Sequence, residues 1–478
     1  MEPRVRSVLE ALNENGFEAY IVGGAVRDLL MKRQPHDYDV TTSARPEEIQ
    51  QVAAAKGWHT VEIQSERFGI VVLVVDGLTV ETASFRGESY GADSHRPEEV
   101  WYADSLREDV LRRDFTVNAL AMDKDGQIYD YVGGQKDLKK KRLVTVGDPR
   151  KRFQEDALRL FRACRFTGQL DFLPVRELTR AMPSAFGRVA GLSLERVMQE
   201  LDRLMVTEAA YKGLDVLVRS GLGACSCRRK ENGQYEEIPI LPECSHLPDT
   251  PQSKPFHLFD AWFHTLAVIA NTPPDLTIRY AALFHDIAKG MPGIRGIHKG
   301  RYTDYGHDAK GAELAEAILL RWHKNPQMAK RIAWLVKTHM KFHYFANTGL
   351  GDVEKWLRRE ALEGPFRRTA ELVEAIQQAT LLACGDVLGC GHADADTSGT
   401  VSFGEYMADL AAKMPVSTKD LQYDKRIPGI CQRQTGDCLR VLLKRVQNQD
   451  LVNDADTLAA AAEKWYARHN GERNHDDR

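Results

Sequence analysis

The chain has 478 residues, 43% of them hydrophobic, and its 65 Lys and Arg against 68 Asp and Glu leave a formal net charge of −3. This length predicts about three or four domains with packed cores. The near-neutral charge excludes wholesale histone-like binding, so any polyanionic partner must contact local basic patches.

The sequence carries no signal for secretion or membrane insertion. Residues 1–16 are charged from residue 2 onward and lack the apolar core of about 7–15 residues that a signal peptide needs. No later stretch approaches ~20 uninterrupted apolar residues. The eight cysteines include no CxxC spacing, which is typical of reduced thiols. We expect a cytoplasmic protein with no membrane partner.

The predicted fold class is α+β. A short amphipathic helix (residues 4–14) precedes a small mixed sheet, and helical periodicity replaces the strand signals from about residue 136. Predicted strands are bounded by Gly and Asp-Gly breaks and cover residues 17–23, 37–43, 59–64, 68–75, 78–86 and 128–132. We expect hinges at residues 227–255 and around 385–404.

The first candidate site combines GGAVRD (23–28) with DYD (37–39). Residues i and i+2 of a strand share one face, so Asp37 and Asp39 can direct two carboxylates at one Mg²⁺ ion. Gly23 and Gly24 let backbone N–H groups approach a triphosphate, and Arg27 adds positive charge. Each piece alone also fits a plain turn or a solvated strand end, but their order favours nucleotidyl transfer.

Further along, Glu81 on a later strand is either a third metal carboxylate or an exposed strand residue. Arg113 and Asp114, in LRRDFTVNALAMD beside a predicted apolar helical run, suit a phosphate and a ribose hydroxyl. Residues 147–166 are predicted to form one helix on which Asp156 and Arg159 are neighbours. Its basic side continues at Arg162 and Arg165.

Together these motifs resemble class II tRNA nucleotidyltransferases, the CCA-adding enzymes. GGAVRD, PHDYDVTTS, RRDFTVNALA, RFQEDALRLFRACRF and LSLERVMQEL match that family's head and neck in order over roughly residues 15–205. The resemblance implies a polymerase-β-like head followed by an all-helical neck, body and tail. It implies Mg²⁺ at Asp37 and Asp39, and a nucleotide site formed by Gly23, Gly24, Arg27, Arg113, Asp114, Asp156, Arg159, Arg162 and Arg165.

The implied reaction is addition of CCA to tRNA from CTP and ATP, with tRNA and not DNA as partner. Cytosine and adenine both present an exocyclic amine beside an unprotonated ring nitrogen, so Asp156 can accept and Arg159 can donate. An intact loop at residues 85–109 favours full CCA addition over CC addition alone. Residues 136–165 carry 11 Lys and Arg against 4 Asp and Glu, a net charge of +7 that suits an RNA backbone. Alternatives are a poly(A) polymerase with the same head, or chiefly a phosphohydrolase.

The middle of the chain resembles an HD metal-dependent phosphohydrolase domain. AALFHDIAKG supplies adjacent His285 and Asp286, and flanking helices supply His264 and Asp386. We predict a divalent ion there, Mn²⁺ or Ni²⁺, held by nitrogen and oxygen ligands. Further histidines lie in YGHDAKG and VKTHMKFH, at His307, His339 and His343.

Two other sequence motifs resemble metal sites. DADTSGTVSFGE (394–405) fits an EF-hand spacing, although the segment before it is rich in glycine. Cys225, Cys227, Cys244 and His246 fit a zinc knuckle poorly, and we expect a disordered insertion there instead. The predicted domains are a head (1–140), a neck (141–210), a helical body with the HD region (211–400) and a helical tail that contacts tRNA (401–478).

Overall fold

The structure is a computed structural model in which the chain divides into two compact units, Met1–Ser245 and His246–Arg478. It describes residues 1–61, 69–89, 91, 98–348 and 352–473. None of the helices in those ranges is long and apolar enough to cross a membrane.

The first unit contains a mixed sheet of seven strands in the order β3-β4-β5-β2-β1-β8-β9. Strand β2 runs parallel to β5, and the other pairs in this sheet are antiparallel. The strands of the unit are β1 (Ala19–Val22), β2 (Asp39–Thr42), β3 (His59–Val61), β4 (Ile70–Val75), β5 (Leu78–Ser84), β6 (Arg86–Ser89), β7 (Glu99–Tyr102), β8 (Ala121–Met122), β9 (Ile128–Tyr129), β10 (Arg142–Leu143), β11 (Leu173–Pro174), β12 (Ser226–Glu231) and β13 (Gln234–Pro239).

Helices cover the sheet and continue beyond it. They are α1 (Pro3–Glu14), α2 (Gly24–Leu30), α3 (Pro46–Ala55), α4 (Leu106–Leu111), α5 (Gly134–Lys139), α6 (Pro149–Glu155), α7 (Leu158–Leu170), α8 (Arg176–Ala181), α9 (Phe186–Val189), α10 (Leu194–Met205) and α11 (Ala210–Arg219). On β1, Ile21 packs in a core with Val8 of α1, while Val22 packs in a second core with Val110 of α4. The two-residue strand period therefore gives the sheet a buried core on each face.

The second unit is mainly helical. Its helices are α12 (Ala261–Ala270), α13 (Leu276–Phe284), α14 (His307–Arg321), α15 (Pro326–Thr348), α16 (Val353–Glu363), α17 (Thr369–Gly389), α18 (Ser398–Ala412), α19 (Arg426–Cys431), α20 (Thr435–Gln447) and α21 (Ala455–Arg473). A hairpin of β14 (Arg295–His298) and β15 (Arg301–Asp304) interrupts them. The last three helices share a small core that includes Ile427, Leu442 and Leu458.

Two helix predictions in the first unit are wrong. The apolar run after Asp114 forms a 3-10 helix at Thr116–Asn118 and then β8, because its end pairs with β1 in the central sheet. The single helix predicted over 147–166 is broken between α6 and α7. The break is stabilised because Asp156 Oδ1 accepts a hydrogen bond from the backbone N–H of Leu158 at 2.9 Å.

Both predicted hinges contain regular structure, and the boundary between the two compact units, after Ser245, falls within the first of them. Residues 226–239 form the antiparallel β12–β13 hairpin, so the expected disordered insertion is wrong. In α17, a Cβ at Gly385 would lie 2.6 Å from Thr272 Cγ2, and a Cβ at Gly389 would lie 2.6 Å from Val268 Cγ2. These glycines therefore serve the close approach of α17 to α12 and the residues that follow it.

Candidate functional site

A group of carboxylates lies where β2 begins. Asp39 is the first residue of β2, and its register partner on the parallel strand β5 is Glu81. Asp37 precedes the strand by two residues, and the intervening Tyr38 is buried while Asp37 and Asp39 reach solvent. Exposed and buried residues therefore alternate over residues 37–39, but Asp37 lies outside the strand that was predicted to contain it.

The pKa values of Asp39 and Glu81 are raised first by burial and then by the charges of neighbouring carboxylates. Desolvation by the surrounding protein raises the pKa of Asp39, the guanidinium of Arg113 lowers it, and Asp37 raises it further. Desolvation also raises the pKa of Glu81, followed by the charges of Asp39 and Asp37. Carboxylates that repel one another in this way favour a divalent cation among them.

The donor set fits Mg²⁺, which prefers oxygen ligands. Within the described ranges, three sets of His, Cys, Asp or Glu ligand atoms lie within 4.8 Å of one another, and all belong to the second unit. The carboxylates of the first unit are more widely spaced. Since Mg²⁺ commonly completes its shell with waters and substrate phosphates, this spacing suits an ion shared with a nucleotide.

Gly23 lies close to both the Asp39 carboxylate and the Arg113 guanidinium. Its φ of +72° favours glycine, and a Cβ there would lie 3.2 Å from Arg113 Nη1 and 3.8 Å from Asp39 Oδ2. Gly24 begins α2, and a Cβ at this residue would lie 3.4 Å from Arg27 Nη2. The glycine pair therefore lets two guanidinium groups lie close to the backbone at the start of α2.

A chain of polar contacts connects Arg27 with Arg162. Arg27 Nη1 donates to Asn118 Oδ1 at 2.6 Å, and Asn118 Nδ2 donates to Asp114 Oδ1 at 3.4 Å. Arg162 Nε donates to the other oxygen of Asp114 at 2.7 Å. Burial would raise the pKa of Asp114, but the guanidinium groups of Arg162 and Arg159 lower it on balance. Asp114 is therefore held ionised among the predicted nucleotide-binding arginines.

Three arginines predicted to bind the nucleotide have their guanidinium groups close to the ring of Phe166. Those of Arg165, Arg162 and Arg27 lie 4.0, 5.2 and 5.7 Å from the ring centroid. Arg165 also donates from Nε to Glu200 Oε2 at 2.5 Å. These contacts connect helices α2, α7 and α10 by cation–π interactions and an ion pair.

Asp156 and Arg159 lie at the junction of α6 and α7, and both are buried. Arg159 Nη1 donates to Glu155 Oε2 at 2.8 Å, and its Nη2 donates to the backbone carbonyl of Arg112 at 3.2 Å. Glu155 also accepts from Arg152 Nη1 at 2.9 Å. The guanidinium of Arg159 is therefore oriented by groups on both α6 and the segment after α4.

Asp109 and Glu155 are site residues that sequence reasoning missed. Asp109 is fully buried and accepts from Arg112 Nη2 at 2.7 Å and Arg113 Nη2 at 3.2 Å. Burial would raise the pKa of Asp109, but Arg113 and Arg112 lower it on balance. The signal available in the sequence was the i, i+3 and i, i+4 spacing of Asp109 from these arginines on a short helix.

The cations of the basic segment at residues 136–165 lie in two environments. Arg159 and Arg165 are buried, whereas the exposed cations form a separate set suited to a solvated polyanion. That exposed set consists of Lys136, Lys139, Lys140, Lys141, Arg150 and Lys151. Of the predicted 85–109 loop, residues 90 and 92–97 lie outside the described residues, and β6 pairs with β7 on either side of them.

In the second unit, α12, α13 and α17 bring together His264, His285 and Asp386. His264 Nε2 lies 3.2 Å from His285 Nε2 and 3.0 Å from Asp386 Oδ1. The tight contact of Gly385 and Gly389 with α12 and the residues that follow it places Asp386 beside His264. These three residues form one buried set of possible metal ligands.

Asp286 lies beside this set and belongs to a second one with His307 and His339. Its Oδ2 is 3.4 Å from His264 Nε2, and its Oδ1 is 3.3 Å from His307 Nε2. Lys289 Nζ lies 2.6 Å from Asp286 Oδ2. Burial would raise the pKa of Asp286, but His285 and Lys289 hold it well below its ordinary value. The imidazole nitrogens and carboxylate oxygens fit a divalent transition metal.

A third set joins His257 and Cys390 to His264. His257 Nδ1 lies 3.5 Å from Cys390 Sγ. The described residues with ligand atoms in such sets do not include Cys225, Cys227 or Cys244. The predicted zinc-knuckle alternative therefore finds no support in this part of the chain.

The EF-hand spacing is not realised as a loop. Ser398, at the fifth position of the string, begins α18, and the helix continues through Glu405 at the twelfth position. Asp396 Oδ1 accepts from the backbone N–H of Ser398 at 2.9 Å, and its Oδ2 accepts from the hydroxyl at 2.6 Å. Asp396 therefore accepts hydrogen bonds from its own chain two residues on, just before α18, which is an ordinary role of aspartate at a turn.

Two segments match known domain families. Residues 19–144 match the poly A polymerase head domain, and residues 263–374 match the HD domain. The first segment contains the carboxylates of β2 and β5, and the second contains His264, His285 and Asp286. The predicted presence of both domains is confirmed.

The chain is 41% identical to the CCA-adding enzyme of Bacillus pumilus over 253 residues, which cover 53% of this chain and 59% of the relative. The match thus spans a little over half of that curated relative. The fold is similar to that of the Bacillus stearothermophilus CCA-adding enzyme in complex with CTP, with a TM-score of 0.65 and 23% identity over 100% of both chains.

A second solved structure has a similar fold. It is the Thermotoga maritima CCA-adding enzyme complexed with tRNA, with a TM-score of 0.55 and 15% identity over 97% of this chain and 96% of that chain. These likenesses confirm the predicted α+β fold class. The β12–β13 and β14–β15 hairpins are additions to the all-helical region that was predicted.

Proposed function

We propose that this chain builds and repairs the 3′-terminal CCA of tRNA from CTP and ATP, releasing pyrophosphate. The observation that carries the proposal is the pairing of Asp39 with Glu81, next to Asp37, beside a glycine turn lined by Arg27 and Arg113. The 41% identical relative bears the name of this activity. The CTP and tRNA bound to the two similar folds support the same substrates.

The proposed resident ion of the first unit is Mg²⁺, held by Asp37 and Asp39. Bound there, Mg²⁺ would activate the RNA 3′ hydroxyl and offset charge on the departing pyrophosphate. Arg113, oriented by Asp109, lies close enough to Gly23 to contact a phosphate at the glycine turn. Asp114 is a hydrogen-bond acceptor for a ribose hydroxyl, and it is kept ionised by Arg162.

Base selection is proposed to rest on Asp156 and Arg159. An ionised aspartate only accepts and an arginine only donates, so cytosine and adenine both match the pair. Uracil and guanine would place a carbonyl against Asp156 and an N–H against Arg159. Each unpaired buried group costs about 1–3 kcal/mol, and charged groups cost more. The ion pair of Arg159 with Glu155 supports this role because it fixes the direction of the guanidinium.

The exposed lysines and arginine of residues 136–151 are the proposed contact with the tRNA backbone. They lie in solvent, whereas the arginines proposed to contact the nucleotide are buried or partly buried. Phosphate contacts position a nucleic acid without reading its sequence. The eight free cysteines support a reducing compartment, so we place the reaction in the cytoplasm.

The second unit is proposed to hold a divalent ion such as Mn²⁺ or Ni²⁺. Its ligands would be His264, His285, Asp286 and Asp386. This ligand set combines imidazole nitrogens with carboxylate oxygens. Such a set suits Mn²⁺ or Ni²⁺ better than it suits Mg²⁺. The chemistry supplied there would be metal-assisted hydrolysis of a phosphoester, separate from nucleotide addition.

The test is incubation of the full chain with a tRNA that ends at the discriminator base, together with CTP, ATP or both. Sequencing the products should give addition of CC with CTP alone and of CCA with both nucleotides. A long run of adenosines would instead identify a poly(A) polymerase. Hydrolysis of the RNA or nucleotides without any addition would assign the chain chiefly to phosphoester hydrolysis.

A further inference from the structure

The β14–β15 hairpin of the second unit carries exposed aromatic and basic side chains, and it ends three residues before His307. We propose that this hairpin binds single-stranded RNA by stacking bases on its exposed tyrosines and holds the strand beside the ion site of the same unit. The proposal rests on the phosphoester hydrolysis proposed above for that site, and it adds a surface that recognises a nucleic-acid strand.

The side chains of the hairpin that reach solvent are of two kinds. Ile297 is 72% exposed, and Tyr302, its register partner on the neighbouring strand, is 42% exposed. Tyr305, directly after β15, is 77% exposed. The exposed charged residues of the hairpin and its turn are Lys299 and Arg301, both positive. Aromatic rings for the bases beside cations for the phosphates are the combination that binds single strands.

Arg295 holds the ring of Tyr302 in place. Its Cζ lies 4.9 Å from the centroid of that ring, which is a cation–π contact. The guanidinium is itself fixed, because Nε and Nη2 donate to the two oxygens of Asp304 at 2.8 and 3.0 Å, and Nη1 donates to the carbonyl of Pro251 at 2.9 Å. A ring held in this way loses little freedom when a base stacks on it.

The base of the hairpin is connected to the ion site. The backbone carbonyl of Asp304 accepts from His307 Nδ1 at 2.6 Å, and Asp304 Oδ1 accepts from the backbone N–H of Gly290 at 2.9 Å. His307 Nε2 in turn lies 3.3 Å from Asp286 Oδ1. Tyr302 precedes His307 by five residues, so at most ~18 Å of extended chain separates them. A short oligonucleotide stacked on the hairpin therefore lies within reach of the proposed ion.

The small size of the hairpin favours a nucleic-acid strand over a protein partner. Its strands have four residues each. A stable interface between proteins buries about 800 Å² and about 20–30 residues on each side, which is much more than this hairpin offers. Base stacking needs only an exposed ring, and every base has a face that can stack.

The test uses the full chain and a single-stranded oligoribonucleotide of about ten nucleotides, a length within the range that single-strand surfaces bind. One 4-thiouridine in the strand allows crosslinking by light, and trypsin digestion with mass spectrometry locates the crosslink. We expect crosslinks in the tryptic peptide of residues 302–310. Replacing both Tyr302 and Tyr305 by Ala should reduce them roughly tenfold, as expected for the loss of stacked bases.

Hydrolysis provides the second readout. The double variant should raise the KM for the labelled oligoribonucleotide by roughly tenfold and leave the KM for a chromogenic phosphodiester without bases unchanged. Tyr302→Phe should retain the parental values, because it keeps the ring. The matched control is Tyr235→Ala, which removes an exposed tyrosine beside Arg228 from the β12–β13 hairpin of the first unit and should change neither readout.

Crosslinks confined to residues 1–245, or equally strong in the double variant, would overturn the proposal. Unchanged crosslinks with an altered oligomeric state in sedimentation would identify the hairpin as a protein interface and would also overturn it. If both substrates are hydrolysed and the double variant leaves both KM values unchanged, the RNA surface fails while the proposed hydrolysis stands. If the hairpin is crosslinked as expected but neither substrate is hydrolysed, the RNA surface stands and the proposed hydrolysis fails.

Discussion

Asp39 and Glu81 are register partners on the adjacent parallel strands β2 and β5, although 42 positions separate them in the chain (81 − 39). Parallel pairing requires a crossover, and the chain supplies it through α3, β3 and β4. The order of the strands in the sheet therefore brings Asp39 and Glu81 next to each other. The charge of Asp37 contributes to the raised pKa of both residues of this pair.

The first prediction concerns Mg²⁺ and pH. The raised pKa values of Asp39 and Glu81 mean that the folded chain holds their protons more tightly than the unfolded chain does. Their contribution to stability is therefore present below the ordinary values of 3.8 and 4.5, and is lost as pH rises through the raised values. Mg²⁺ should offset this loss, because it binds only the ionised groups.

Thermal unfolding with and without Mg²⁺ measures this effect. At about 100 times the dissociation constant, a bound ion stabilises the folded chain by about 2.7 kcal/mol. The increase in Tm should therefore be larger near neutral pH than at acid pH. Asp39→Asn should remove most of the difference. An increase that is equal at both pH values would show that Mg²⁺ does not bind these carboxylates.

The second prediction concerns base selection. Asp156→Asn should lower the CTP:UTP ratio of kcat/KM by roughly tenfold or more, because the amide can turn its N–H toward the uracil carbonyl and remove a cost of about 1–3 kcal/mol. The hydrogen bond from the backbone N–H of Leu158 should survive, since the side-chain oxygen of asparagine also accepts.

The control for this substitution is Asp148→Asn, which changes the same residue type at the exposed start of α6, where Asp148 Oδ1 accepts from the backbone N–H of Arg150. It should leave the CTP:UTP ratio unchanged. An unaltered ratio in a folded and active Asp156→Asn variant would show that Asp156 only stabilises the junction of α6 and α7.

The third prediction concerns Asp109 and acid. Because its folded pKa is lowered, its stabilising contribution is present above the unfolded value of 3.8 and is lost as pH falls through the lowered value. Asp109→Asn removes the buried carboxylate that Arg112 and Arg113 share, while Arg112 keeps its ion pair with Glu88, and it should cost about 3 kcal/mol at neutral pH. The difference between variant and parent should shrink in acid, as followed by urea unfolding. Asp76→Asn, which alters an exposed residue, is the control.

A cost of Asp109→Asn that stays constant across this pH range would contradict the assigned ion pairs. A second readout is the KM for CTP, which should rise because Arg113 loses one of its fixed contacts near Gly23. Asp76→Asn should leave both the pH dependence and the KM unchanged.

The fourth prediction separates the two units. Asp286→Asn should leave CMP addition unchanged, because its contacts lie among His264, His285, His307 and Lys289 of the second unit. The same substitution should abolish metal-dependent hydrolysis of a chromogenic phosphodiester. Loss of CMP addition in a variant with an unaltered circular dichroism spectrum would contradict this division of labour.

The sequence predicted the sheet strands of the first unit and the long helices of the second because their apolar periods are strong. The prediction from local hydrophobic spacing was wrong where a segment pairs with a distant strand of the sheet. Residues 121–122 join the central sheet although the surrounding run has helical spacing. Propensity describes only neighbours along the chain, whereas a short strand is stabilised by partners that are distant in sequence.

The candidate site could be proposed from the sequence where a spacing has a direct physical meaning, as for Asp37 and Asp39. Contacts formed by packing were not predictable in this way. The meeting of three guanidinium groups at Phe166 depends on helices α2 and α7, and the sequence alone does not place them together. In the same way, the glycines at 385 and 389 fit a flexible hinge as well as a tight helix contact until their neighbours are known.

The most direct test of the proposed function is the rate of CMP addition by Asp39→Asn. Full-length parent, Asp39→Asn and the control Asp76→Asn are compared by kcat/KM for CTP on a tRNA that ends at the discriminator base, with tRNA binding measured alongside. Loss of a metal ligand removes several kcal/mol of transition-state stabilisation, which is at least about a hundredfold in rate. We expect that loss in Asp39→Asn, with tRNA binding and Asp76→Asn activity unchanged. CMP addition at the parental rate by Asp39→Asn would contradict the assignment of nucleotidyl transfer to these carboxylates.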